Sequence, residues 1–133
     1  MQTAEVSVST DRRTRFVPIG GQVAGLVEQN GWQDGILTLF VPHTTAGITI
    51  NENADPDVAR DMEWFSDQLV PQSPRFRHAE GNSDAHLKAS FYGSSVQIIL
   101  RGGRLWLGTW QGIYLCEFDG PRSRKVYAAF TGA

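Results

Sequence analysis

The chain has 133 residues, with 12 Lys and Arg against 14 Asp and Glu, 3 His and a single Cys. This length suits one domain with a real core, and 41% hydrophobic with 20% charged residues lies outside the low-hydrophobicity, high-charge regime of disorder. A formal charge of −2 offers no general basic surface to nucleic acid, one thiol excludes an internal disulfide, and no apolar run approaches a membrane span. A cytoplasmic protein without nucleic-acid or membrane partners is therefore expected.

Residues 2–10 alternate Ala4, Val6 and Val8 with Glu5, Ser7 and Ser9, the period-two pattern of a strand with one wet face. Ile19 to Asn30 places Ile19, Val23, Leu26 and Val27 on helical spacing, with Gly31 as the stop. Ile36 to Val41 is apolar on both alternating faces, which predicts a strand covered on both sides. Pro42 and His43 end it, and a second strand runs from Thr45 to Ile50. Asp55-Pro56 offers an N-cap followed by an N1 proline. Val58, Met62, Phe65 and Leu69 then form one apolar stripe before Pro71.

Residues 71–82 read as a loop, and Ser83 as the cap of a short helix through about Phe91, closed by Gly93. Val96 to Arg101 and Arg104 to Phe118 are apolar runs joined by Gly102-Gly103. That pair suits a type I′ hairpin, whose two central residues need positive φ. A last strand spans about Lys125 to Phe130. The whole predicts a single α+β domain over 1–133, mostly antiparallel and sandwich-like, with two to three helices.

The three histidines stand in polar or glycine-flanked segments: His43 at a strand exit, His78 in the long loop, and His86 in the first turn of the next helix. Glu52, Asp55, Glu80 and Asp84 accompany them. Imidazoles with carboxylates are usual ligands for zinc and related metals. His78 and His86 match no standard ligand spacing, so loop histidines with no ligand remain an equal reading. Asn82 to Ala85 opens a helix, whose free N–H groups and dipole favour phosphate. Arg122 and Arg124, two residues apart, point one way on an extended chain and match phosphate oxygens. Trp110 and Cys116 read as packing residues, with a buried, inert thiol at Cys116. Trp106, Trp110, Tyr114 and Phe118, along one strand, suit either core or a subunit interface.

Five blocks in order resemble the YjbQ family. They are Pro42-His43-Thr44-Thr45-Ala46-Gly47, Asn51-Glu52-Asn53-Ala54-Asp55-Pro56, Glu80 to Lys88, Leu107-Gly108-Thr109-Trp110-Gln111, and Glu117-Phe118-Asp119-Gly120-Pro121-Arg122. The resemblance implies a homotrimer with a metal or anion site between subunits. It also implies thiamine-phosphate synthase activity, joining hydroxymethylpyrimidine diphosphate to thiazole phosphate with release of pyrophosphate. It places His43, His78 and His86 at a divalent metal (zinc or magnesium) or at the diphosphate. His43, Glu52, Asp84 and His86 then form the catalytic set, and Asn82, Ser83 and Arg122 hold the small phosphorylated metabolite. Two other readings use the same residues: a metal-assisted hydrolase of a small phosphorylated or amide substrate, and a trimeric binding protein without turnover.

Overall fold

The structure, a computed structural model, describes residues 1–132. The elements run β1 (Gln2–Ser9), β2 (Arg15–Pro18), α1 (Gly20–Asn30), β3 (Gly35–Phe40), β4 (Ala46–Glu52), α2 (Pro56–Leu69), α3 (Ser83–Tyr92), β5 (Ser95–Arg101), β6 (Arg104–Leu105), β7 (Gln111–Glu117) and β8 (Ser123–Gly132). Every strand pairing is antiparallel. One sheet has the order β1-β8-β3-β5-β6, the other β2-β7-β4. This is the expected α+β domain. Among the described residues no helix is long and apolar enough to cross a membrane.

Local chemistry sets most boundaries. Asp55 accepts the Asp57 N–H at 2.9 Å and Pro56 opens α2. Gly31 closes α1 at φ 63°. Gly102 and Gly103, at φ 59° and 76°, make the turn expected of them. The main core lies between the sheets and α1, where Leu37, Leu39, Ile48, Leu115 and Val126 are buried and Trp32 stacks on Phe130. A smaller cluster of Phe16, Ala85, Tyr114, Cys116 and Phe118 lies against α2 and α3.

Four expectations need correction. The strand covered on both faces is β7, buried from Gly112 to Glu117; β3 buries Leu37 and Leu39 but leaves Ile36 and Phe40 exposed on its other face. The run 104–118 is two strands in different sheets, broken between Trp106 and Trp110, so those tryptophans are exposed while Tyr114 and Phe118 are core. The stripe of α2 is rotated: Ala59, Met62 and Ser66 face inward, leaving Phe65 and Leu69 more than half exposed. Asn82, not Ser83, is the N-cap of α3. In addition, β2 completes the second sheet from a segment that carried no strong strand pattern.

The site depends on how closely α3 approaches β4. Ile48 N–H donates to the Gly93 carbonyl at 3.1 Å. A Cβ on Gly47 would stand 2.8 Å from that carbonyl oxygen. Glycine is required there by a close backbone approach.

Candidate functional site

The loop after α2 returns to the body through α3. Gln72 and Arg13 both donate to the Gly81 carbonyl, at 3.1 and 3.5 Å. Asn82 is buried; its Nδ2 donates to Asp119 at 2.9 Å, and its Oδ1 is buried with no hydrogen-bond partner. Its side chain does not cap α3, and the N–H groups of Ser83 and Asp84 have no acceptor among the described residues. A helix start with free donors lies open beside His78 and His86, whose rings meet edge to face at 5.5 Å. His78 also stands 3.5 Å from Glu80. Phe76, His78, Ser83, His86 and Leu87 line one shallow depression, which adjoins a pocket of about 270 Å³ bordered by Gln72, Ser73, Pro74 and Asp84.

The remaining charges are tied to one another. Asp84 is buried, with Arg13 on one oxygen at 2.9 Å and Lys88 on the other at 3.3 Å; Lys88 also binds Asp67 at 2.7 Å. Arg122 donates to the Asp119 carbonyl and carboxylate at 2.8 and 2.9 Å. Burial works to raise the Asp119 pKa, but the Asn82 and Arg122 bonds and the nearby Arg122 and Arg13 charges outweigh it, holding the carboxyl below its usual 3.8. Glu117, wholly buried, pairs with Arg124 and accepts from Thr10 at 2.8 Å and from Asp119 N–H at 2.9 Å. These bonds overcome its desolvation and set its pKa below the usual 4.5. Arg124 also donates to the Thr45 hydroxyl and carbonyl.

The structure thus unites some of the sequence candidates and separates others. His78, His86 and Ser83 share a pocket, with Asn82 and Asp84 behind it. His43 stands apart, its Nε2 accepting the Lys125 N–H at 2.9 Å. That bond leaves the neutral ring's proton on Nδ1. Burial, then the Arg124 charge, lowers its pKa from 6.5. Glu52 pairs with Gln111 at the far end of β4 from Ala46, which pairs with Glu117. At the usual rise per strand residue that is about 20 Å, so Glu52 does not join the histidines. Arg122 and Arg124 do not form one fork: Arg124 is buried on Glu117, whereas Arg122 turns outward to Asp119. Both oxygens of Asp84 already face cations, which removes it as a free base.

For a metal, the fit is poor within one chain. Among the described residues no three His, Cys, Asp or Glu side chains are grouped to hold an ion. Cys116 is buried, its thiol pKa pushed well up by desolvation. The sequence reading missed Arg13, Lys88, Glu117 and Asp119 as supports of the site. A Lys four residues after Asp84 was one signal available, through their shared helix face, and Lys88, Glu117 and Asp119 stand in the blocks that carry the resemblance.

Comparison with known proteins agrees with this fold. The family model described as "UPF0047 protein YjbQ-like" matches residues 4–133. UPF0047 protein MJ1081 of Methanocaldococcus jannaschii is 48% identical over 125 residues, covering 94% of this chain and 91% of that protein. UPF0047 protein YugU of Bacillus subtilis is 47% identical over 128 residues, covering 96% and 97%. A crystal structure from Clostridium acetobutylicum, described as an uncharacterized conserved protein of the yjbq/upf0047 family, superposes with a TM-score of 0.92. It is 52% identical, with 96% and 99% of the chains covered. The hypothetical protein APE1520 of Aeropyrum pernix superposes at 0.94 with 37% identity over the full length of both chains. These names state a family and no activity, which overturns the expected thiamine-phosphate synthase function; no other enzymatic function is indicated either. The chain belongs to the YjbQ/UPF0047 family.

Proposed function

We propose that the protein binds a small phosphorylated metabolite at the start of α3, in a pocket completed by a neighbouring copy within a homotrimer. The observation that carries this reading is the outward face of α3. Ser83, Leu87 and Phe91 follow one another at steps of four, so a polar pocket and an uncovered apolar row share one helix face. Phe91 is 70% exposed, and Phe65 and Leu69 of α2 continue the row across a groove. A contiguous apolar patch beside a polar pocket is typical of a protein interface. A second copy laid on this face would exclude water from the histidines and strengthen their hydrogen bonds to an anion.

The ligand class follows from the donors. The free N–H groups of Ser83 and Asp84 and the positive end of α3 suit a phosphoryl group. His78 and His86 add ring donors on the same side. Arg75 and Arg77, in the same loop, make no ion pair among the described residues and draw an anion toward it. The buried Asn82 carbonyl oxygen suits a hydroxyl donated by the ligand or by a bound water. Calorimetric titration with inorganic phosphate tests the reading: saturable binding that weakens about tenfold in His86→Ala is expected. Binding unchanged in that variant would place the anion elsewhere.

A further inference from the structure

A second pocket, of about 190 Å³, lies away from the histidines and shares no lining residue with theirs. Arg12, Arg15 and Arg60 reach it from the segment after β1, the start of β2 and the exposed side of α2. Between the first two, Arg13 turns the other way, to Asp84 and Asp119. Phe16, Pro18, Pro56 and Ala59 supply apolar walls, and Asn53, Glu63 and Tyr114 complete the lining.

The guanidinium groups are loosely held. Arg12 and Arg15 share the exposed Asp11 carboxylate at 3.8 and 3.9 Å, beyond hydrogen-bond reach. Arg60 meets Asp57 at 3.2 Å in an exposed pair one turn away, an arrangement that contributes little. Two separate carboxylates already stand near these arginines: Asp11, by Arg12 and Arg15, makes no hydrogen bond to either, and Asp57 takes a single one from Arg60. Glu63 accepts the Phe16 N–H at 2.7 Å through Oε2. Its Oε1 has no hydrogen-bond partner among the described residues, so the wall also offers a free acceptor.

We propose that this pocket binds a compact dicarboxylate bearing a hydroxyl or amino group. One carboxylate would lie between Arg12 and Arg15 and the other on Arg60, each taking the bidentate contacts that Asp11 and Asp57 do not make. The apolar walls cover a short carbon skeleton, and the volume suits four or five carbons. Glu63 Oε1 accepts from the hydroxyl or amine. Without that donor the same carboxylate opposes an anion, so a plain dicarboxylate binds less well.

Calorimetry with L-malate and with succinate tests this on the wild-type chain and on Arg15→Gln, Arg60→Gln, Glu63→Gln and Arg104→Gln. Arg60 is highly exposed, so its variant keeps the fold. Saturable malate binding, stronger than succinate, is expected. It should weaken about tenfold in Arg15→Gln and in Arg60→Gln and stay unchanged in Arg104→Gln, a distant exposed arginine. The preference for malate should shrink in Glu63→Gln, because the amide can still bond the hydroxyl while succinate no longer faces a carboxylate. Absence of saturable binding, equal loss in Arg104→Gln, or a malate preference undiminished in Glu63→Gln would overturn the proposal. Saturating inorganic phosphate should leave malate binding intact. Competition that persists in Arg60→Gln would assign malate to the histidine pocket instead, so this proposal fails separately from the phosphate reading.

Discussion

Asp84 and Lys88, one helical turn apart on α3, are both buried and face each other at 3.3 Å. Arg13 takes the other oxygen of Asp84, and Lys88 reaches on to Asp67. The chain of charges pins α3 to the segment after β1 and to α2, which fixes the pocket's floor. Removing one member of a buried pair leaves a charge without compensation. Lys88→Met should therefore lower stability in urea unfolding by about 3 kcal/mol, moderated by the Arg13 contact that Asp84 keeps. A change under about 1 kcal/mol would mean the pair does not hold the helix.

Glu117 and Asp119 govern the acid limb of stability. Both carboxyls titrate lower when folded than when unfolded. Their stabilisation is fully present above the ordinary values of 4.5 and 3.8 and is lost as pH falls through the folded values. Urea unfolding followed downward from pH 4.5 should show a steep decline in the wild-type chain. The decline should be shallower in Glu117→Gln, which starts from lower stability. Equal slopes would contradict the assignment.

His43 has the opposite chemistry. Its folded pKa lies below 6.5, so the neutral ring is favoured in the folded state. As pH falls below 6.5 the unfolded chain takes up the proton first, and this contribution to stability is lost through the folded value. Nuclear magnetic resonance titration should give a midpoint below 6.5, with the neutral ring protonated on Nδ1. A midpoint at or above 6.5 would break the link between His43, its burial and the Arg124 charge.

Gly47 tests how α3 is seated. A methyl group there meets the Gly93 carbonyl at 2.8 Å, and neither backbone can withdraw without loosening the Ile48 bond. Gly47→Ala should cost about 1–3 kcal/mol, seen as a lower urea midpoint with unchanged slope. A neutral effect would show that β4 and α3 separate easily.

The sequence exposed what depends on local pattern. Asp55-Pro56, Gly31 and Gly102-Gly103 each state a backbone geometry in a single residue or pair, and the elements they bound fall where expected. Periodicity described α2 as a helix but not its rotation, because the residues facing inward are the small Ala59 and Ser66. The exposed Phe65 and Leu69 hold the apolar signal instead. The break after Leu105 was hidden for a related reason: both halves of 104–118 are rich in apolar residues, and only three-dimensional packing sends them to different sheets.

The site was legible in part. His78, His86 and Ser83 are close in sequence and stay close in space, whereas the distance of Glu52 from His43 is set by strand register. The engagement of Arg122 by Asp119, three residues earlier, depends on a turn that composition does not reveal.

The most direct test of the shared pocket is the Phe91→Asp variant, whose substitution lies outside the phosphate contacts. Light scattering would give its mass while calorimetry followed inorganic phosphate binding. A pocket completed by a neighbouring copy predicts three chain masses for the wild-type protein and one for the variant, with phosphate affinity reduced about tenfold or more. A wild-type monomer, or a monomeric variant that binds phosphate undiminished, would contradict it.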